Sequence, residues 1–156
     1  MKYSIHRNLH TDFSIYEENK LDARSYFIPF SSTKKLVKTD YKNERYKSDR
    51  IMMLSGEWDF AYYEKLSLVP DSLDTDSVSF DKITVPCTWQ RTGYDQIAYI
   101  NTRYPFPKKP PHIPADVATG IYRKTIEIKN ADIRRTISFL GVAGAIAVYV
   151  NGGYVG

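Results

Sequence analysis

Asn101 stands in the stretch "YINTRYPFPKKPPHIP", residues 99–114, which holds five of the chain's eight prolines. Polar residues that do chemistry are seldom placed in so stiff a setting without reason. Proline fixes φ and lowers the entropy that a loop loses on folding. A flexible linker would be rich in Gly and Ser, and this segment is not. Pro107 to Pro110 fits a PxxP ligand of polyproline type, but the segment falls between two strands of one domain. A loop that must project a side chain without moving suits the pattern better. Taken alone, Asn101 reads as an ordinary turn asparagine that caps its own backbone.

Other chemistries find little support. Cys87 is the single cysteine, so no internal disulfide is possible, and it reads as a small buried residue at a strand end rather than a nucleophile. His6, His10 and His112 lack the mutual spacing of metal ligands. "GVAG" and "NGGYVG" lack the strand-to-helix context of a phosphate-binding loop. The net charge is +4, and the surplus lies in residues 1–50, with eleven Lys/Arg against seven Asp/Glu. Those charges are mixed in sign and come with no nucleic-acid motif, so they read as a solvated surface and no nucleic acid is expected. No apolar run approaches the roughly 18 residues of a membrane span. The segment "MKYSIHRNLHTDF" has no apolar signal core. The expectation is a soluble, cytoplasmic protein.

The elements that position these residues are mostly strands. Thirteen tyrosines and seven phenylalanines favour sheet. Residues 1–50 show no sustained period. "SYFIPFSS" reads as an extended segment packing onto a body, and residues 16–21 as a helical turn at most. From Ile51 the character changes. After Gly56, Trp58, Phe60 and Tyr62 share one face at period 2. "DKITVP" predicts a short strand, and "GIYRKTIEIKN" and "RRTISFLGV" both alternate. "AIAVYVNGGYVG" places Asn151-Gly152 between apolar arms, the pattern of a type I′ hairpin. The prediction is an all-β sandwich, with an extended N-terminal segment over residues 1–50 and the domain proper over 51–156. So short a return strand after Asn151-Gly152 also predicts that this chain is the beginning of a longer protein.

The turns between these strands are more specific than the strands. "LSGEWDF", "VPCTWQRTGYD", "AYINTRYPFPKKPPHIP", "TGIYRKTIEI" and "FLGVAGAIAVYVNGGYVG" follow in that order. This succession resembles the N-terminal sugar-binding domain of large bacterial β-galactosidases, in glycoside hydrolase family 2. The likeness runs over residues 54–156, and "ARSYFIPFSS" is similar to the lead-in before that domain.

The resemblance implies a jelly-roll (galactose-binding-like) β-sandwich, here incomplete at its C-terminal end. It implies a parent enzyme that hydrolyses terminal β-D-galactosides such as lactose with retention, using two glutamates of a later barrel domain. The six glutamates of this chain, Glu17, Glu18, Glu44, Glu57, Glu64 and Glu127, match neither motif. No catalytic residue is therefore expected here, and the fragment alone is expected to be inactive. Asn101 corresponds to a family asparagine that reaches into the galactose pocket. An amide both donates and accepts, as a sugar hydroxyl does. Thr102 follows it at the mouth of the site. An aspartate that binds sugar and sodium in the family would lie beyond Gly156.

Trp89 offers a face on which a pyranose could stack, or a core ring, and core packing is the preferred reading. Asp95, with Gln90 and Tyr94, reads as a polar shelf bracing the Asn101 loop rather than touching substrate. Trp58 reads as core. No cofactor is assigned to the fragment, whereas Mg and Na are implied for the full-length enzyme. The implied partners are the galactoside, the remaining domains of the parent and further copies in a homo-oligomer. Two alternatives stay open: a stand-alone carbohydrate-binding module, and a fragment of another family 2 β-glycosidase.

Overall fold

The computed structural model describes residues 1–97, 101, 106, 107, 109, 111–130 and 132–156. Two compact units are present: Met1–Lys20 with Glu57–Gly156, and Leu21–Gly56.

The larger unit is mostly β. Strands β1 (Lys2–Ser4) and β3 (Ser72–Asp74) pair antiparallel. Strands β2 (Gly56–Tyr63), β4 (Asp81–Val85) and β5 (Thr119–Arg123) form a sheet in the order β4-β2-β5. Strands β6 (Tyr149–Val150) and β7 (Gly153–Tyr154) form a hairpin. Short 3-10 turns fall at Leu9–Thr11, Leu66–Leu68 and Trp89–Thr92.

Strand β2 carries the core. Phe60 is 0% exposed and packs edge-on or tilted against Tyr94 and Tyr122, at 4.8 and 4.7 Å between ring centroids. Burying such a ring stabilises by about 1.5–3 kcal/mol. Val69, Leu73 in β3 and Ile83 in β4 are buried apolar residues as well. Trp58, Phe60 and Tyr62 fall in one strand as expected, but burial along it does not alternate: Phe60 and Ala61 are both buried, and Trp58, Asp59, Tyr62 and Tyr63 are half-buried. Asp59 points its carboxylate at cations instead. It accepts from Arg123 Nε at 2.9 Å, and Lys82 Nζ stands 2.8 Å away. Arg123 also lies over the Phe80 ring, at 4.1 Å.

The hairpin forms where the sequence predicts it. Asn151 and Gly152 both have positive φ, at 50° and 90°, as a type I′ turn requires. Val155 N donates to Val148 O, and Val148 N to Gly156 O, extending the pairing. Tyr149 and Tyr154 pack with Tyr3 and His6, and His6 stacks on Tyr154 at 4.4 Å. Arg7 ties the N-terminal segment down through Asp71 and the carbonyls of Leu66 and Val69.

The alternation over 124–142 has a different outcome. Beyond Arg123 the described residues up to Val148 carry no strand, and Ile133, Ile137, Phe139, Leu140 and Val142 are exposed. Alternation shows which face a strand would bury, but a ladder also needs a partner strand.

The smaller unit, Leu21–Gly56, departs from the expected extended course of residues 1–50. It contains α1 (Thr33–Lys38) and α2 (Tyr41–Glu44). Both begin at capping residues. Ser32 Oγ accepts from Lys35 N at 3.4 Å, and Asp40 Oδ1 accepts from Lys42 N at 3.1 Å. Asp49 accepts from Ser31 N and Lys35 Nζ, and these bonds hold its carboxyl well below the usual range. Ser48 Oγ donates to the Pro29 carbonyl, which anchors the "YFIPF" island. The Arg45 guanidinium lies 5.0 Å from the Tyr46 ring and 5.7 Å from those of Tyr26 and Tyr41.

Candidate functional site at the proline-braced arm

The arm leaves the sheet after β4. Thr88 is extended, and residues Trp89–Thr92 then make a 3-10 turn that closes on Gly93 at φ 97°. Tyr94 N donates to Trp89 O at 3.2 Å. Only glycine takes that backbone conformation without cost.

Two aromatic side chains fasten this turn to the sheet. The Trp89 indole stacks toward Phe60 at 6.2 Å and meets Tyr62 edge-on at 5.9 Å. It also lies on the backbone of Gly120 in β5. A Cβ there would stand 2.7 Å from Trp89 Cζ3 and 2.7 Å from Phe60 Cε2. Trp89 is thus seated in packing, and its Nε1 is shielded, with no hydrogen-bond partner among the described residues. Tyr94 fastens the other end. Its hydroxyl donates to Asp81 Oδ2 at 2.7 Å, and its ring is 5.9 Å from Tyr62. The bond to the Asp81 carboxylate, more than burial, raises the Tyr94 phenol above its ordinary pKa. Tyr62 is raised chiefly by burial, then by the nearby charges of Asp95 and Glu64.

Asp95 is exposed and left-handed, at φ 68°. Its Oδ1 accepts from Gln96 N at 2.7 Å, so the side chain shapes its own loop. Asn101 is exposed and lies in a turn. Thr102 lies outside the described residues. Phe106 and Pro107 follow, both exposed. Lys109 N donates to Pro107 O, and His112 N to Lys109 O, at 3.0 and 2.7 Å. Pro107, Lys109, His112, Ile113 and Pro114 line an open groove of about 170 Å³.

The arm is rooted again where it returns. His112 packs against Phe13 at 5.5 Å, and His10 Nε2 is 3.1 Å from Ala115 O. Asp116 accepts from both N and Oγ of Ser67, each at 2.9 Å, which lowers its carboxyl pKa. The three histidines thus stand in three different aromatic or backbone contacts. Among the described residues, no three His, Cys, Asp or Glu side chains converge as a metal site. Cys87 is exposed. No helix among the described residues is long and apolar enough to cross a membrane.

Sequence reasoning placed Gln90, Tyr94 and Asp95 beneath the loop, and the structure gathers Tyr94 with Trp89 and Tyr62. It missed the two seats, Gly120 and Asp81. A signal for the first existed, since a glycine at a strand position often marks close approach. Nothing local marks Asp81.

Comparison with known proteins places this arrangement. Residues 51–156 match the family model described as glycosyl hydrolases family 2, sugar binding domain. A β-galactosidase of Actinobacillus pleuropneumoniae is 34% identical over 151 residues, covering 96% of this chain and 14% of that protein. One from Staphylococcus xylosus is 33% identical, covering 100% of this chain and 15% of that protein. One from Alteromonas mediterranea is 40% identical over 112 residues, covering 67% of this chain and 11% of that protein. The chain therefore spans less than a sixth of these relatives. No solved structure matches it. With the family model covering β2 through β7 and the whole braced arm, the chain belongs to glycosyl hydrolase family 2, through its sugar binding domain.

Proposed function

We propose that this chain is the N-terminal part of a retaining β-galactosidase acting on terminal β-D-galactosides such as lactose. Its role is to position substrate, not to perform the bond cleavage. The observation that carries this reading is the arm itself. It is fastened to the sheet side on both flanks of Asn101, by Tyr94 on Asp81 and by Asp116 on Ser67, and Asn101 stands exposed between them. A side chain held out in this way suits a contact made across a domain boundary.

In the proposal Asn101 pairs with a galactose hydroxyl, donating and accepting through its amide. Thr102 lines the mouth of the pocket. Asp95 holds the loop through the Gln96 amide, and Trp89 supports it from the sheet. The domain is read as a jelly-roll sandwich that further strands of the parent complete. The exposed Ile133, Ile137, Phe139 and Leu140 support that, because apolar side chains in such a row gain by being covered. The two glutamates of retaining hydrolysis belong to a later domain of the parent. Mg and Na are assigned to the full-length enzyme. The parent is read as a cytoplasmic homo-oligomer.

The test has two arms. The longer gene product should hydrolyse lactose and 2-nitrophenyl β-D-galactoside, and the 156-residue chain should hydrolyse neither. Titration of the isolated chain with galactose should show no binding tighter than about millimolar, because a single contact cannot offset the cost of association. Tight binding by the isolated chain would favour a stand-alone carbohydrate-binding module. Preference of the long product for a β-glucuronide or β-mannoside would move the reading to another family 2 glycosidase.

A further inference from the structure

We propose that Tyr94 is a positioning residue for Asn101, acting through its hydrogen bond to Asp81. The proposal rests on the reading that Asn101 contacts the galactoside.

Asp81 is the first residue of β4, and Tyr94 ends the turn that follows that strand. The 2.7 Å bond from the Tyr94 hydroxyl to Asp81 Oδ2 therefore ties the end of the turn back to the sheet across a separation of 13 positions. Within that span the Trp89 end is seated on Gly120, and the Tyr94 ring meets Phe60 edge-on at 4.8 Å. Immediately after it, the left-handed Asp95 and its bond to Gln96 N turn the chain toward the arm. Among the described contacts, Tyr94 on Asp81 is the one that ties the chain to the first residue of β4 ahead of Asn101, which stands seven positions on.

Stability and positioning separate at this residue. Asp81 is exposed, so its carboxylate stays hydrated when the tyrosine hydroxyl is removed. A hydrogen bond in such a place adds little to the net stability of folding. The ring of Tyr94, by contrast, packs on a fully buried Phe60. Tyr94→Phe keeps the ring and deletes the donor, which frees the direction of the arm while leaving the core in place. Asp81→Asn keeps an oxygen that can accept the hydroxyl proton, and Asp81→Leu does not.

The experiment measures KM and kcat on 2-nitrophenyl β-D-galactoside in the full-length enzyme that carries this segment. The variants are Tyr94→Phe, Asp81→Asn, Asp81→Leu, Asn101→Ala and the Tyr94→Phe/Asn101→Ala double. Expected for Tyr94→Phe and Asp81→Leu is a KM raised about three- to tenfold with kcat within about twofold, the size of coupling found between interacting residues. Asp81→Asn should stay near wild type. In the Asn101→Ala background, Tyr94→Phe should add nothing further. Equal factors with and without Asn101 would overturn the proposal, as would an unchanged KM in Tyr94→Phe. If Asn101→Ala raises KM while Tyr94→Phe and Asp81→Leu do not, only this inference fails. If Asn101→Ala leaves KM unchanged, the substrate contact and the positioning role fail together. Should Tyr94→Phe not fold, the Asp81→Asn and Asp81→Leu pair decides by the same criteria.

Discussion

Gly120 leaves room for Trp89: a Cβ at that position would stand 2.7 Å from the indole Cζ3. Because Gly120 pairs with Tyr62 across the sheet, this one missing side chain lets the turn before the arm lie flat on strand β5. Gly120→Ala must displace either Trp89 or Phe60, both ring systems with little freedom to yield. Overpacking of this kind costs about 1–3 kcal/mol. Chemical denaturation followed by tryptophan emission should show a lower midpoint and a red-shifted native spectrum. An alanine variant with wild-type midpoint and spectrum would mean that the indole is not seated there.

Asp59 links two cations, Lys82 and Arg123, and its carboxyl is held below the ordinary value by the Lys82 bond first and the Arg123 bond second. A lowered folded-state pKa means that the unfolded chain binds the proton more readily. The stabilisation is then present at neutral pH and is lost as pH falls below the ordinary carboxylate range, near 3.8. Asp59→Asn should lower stability at pH 7 and flatten the dependence between roughly pH 4 and the depressed pKa. Denaturation midpoints at a series of pH values test this. Parallel curves for variant and wild type would count against it.

Tyr94 titrates late because its neutral hydroxyl donates to the Asp81 carboxylate. The sign is the same as for any group whose folded pKa is raised. Stability is unaffected below the ordinary tyrosine value of 10.0 and declines as pH rises through the folded one. Ultraviolet difference titration of wild type against Tyr94→Phe should remove one late-ionising phenol. Loss of a phenol that ionises at the ordinary pH would contradict the bond.

Gly152 closes the hairpin at φ 90°, a conformation that a β-branched residue adopts only under strain. Gly152→Val should cost about 1–2 kcal/mol per the left-handed penalty for L-residues. The His6 and Tyr154 rings, stacked at 4.4 Å, report on the hairpin directly through their ring-current shifts. Those shifts should move toward random-coil values in the variant. Unmoved shifts would show that the turn tolerates the side chain.

Asn101→Ala in the full-length enzyme should weaken galactoside binding by roughly 1–3 kcal/mol, the loss expected when a buried partner is left without its hydrogen bond. The measurement is KM together with the inhibition constant of galactose. Unchanged values for both would remove Asn101 from the pocket.

The amino-acid sequence by itself determined the features that depend on neighbours along the chain. The Asn151-Gly152 turn, the strand through Trp58, Phe60 and Tyr62, and the strand ahead of Pro86 are all local, and each stands in the structure. The two short helices were equally local, marked by Ser32 and Asp40 as caps, but were obscured by the absence of an apolar stripe in so few residues. Tertiary structure alone decided the rest. Gly120 meets Trp89, Asp81 meets Tyr94 and Ser67 meets Asp116 only after distant strands come together. The alternation at 134–142 went the other way, because an amphipathic pattern cannot supply the partner strand that a ladder requires. The five prolines of the arm are legible in composition as an expectation of stiffness. The contacts at the arm's two ends are 13 to 105 residues apart, between groups that nothing in the local sequence pairs.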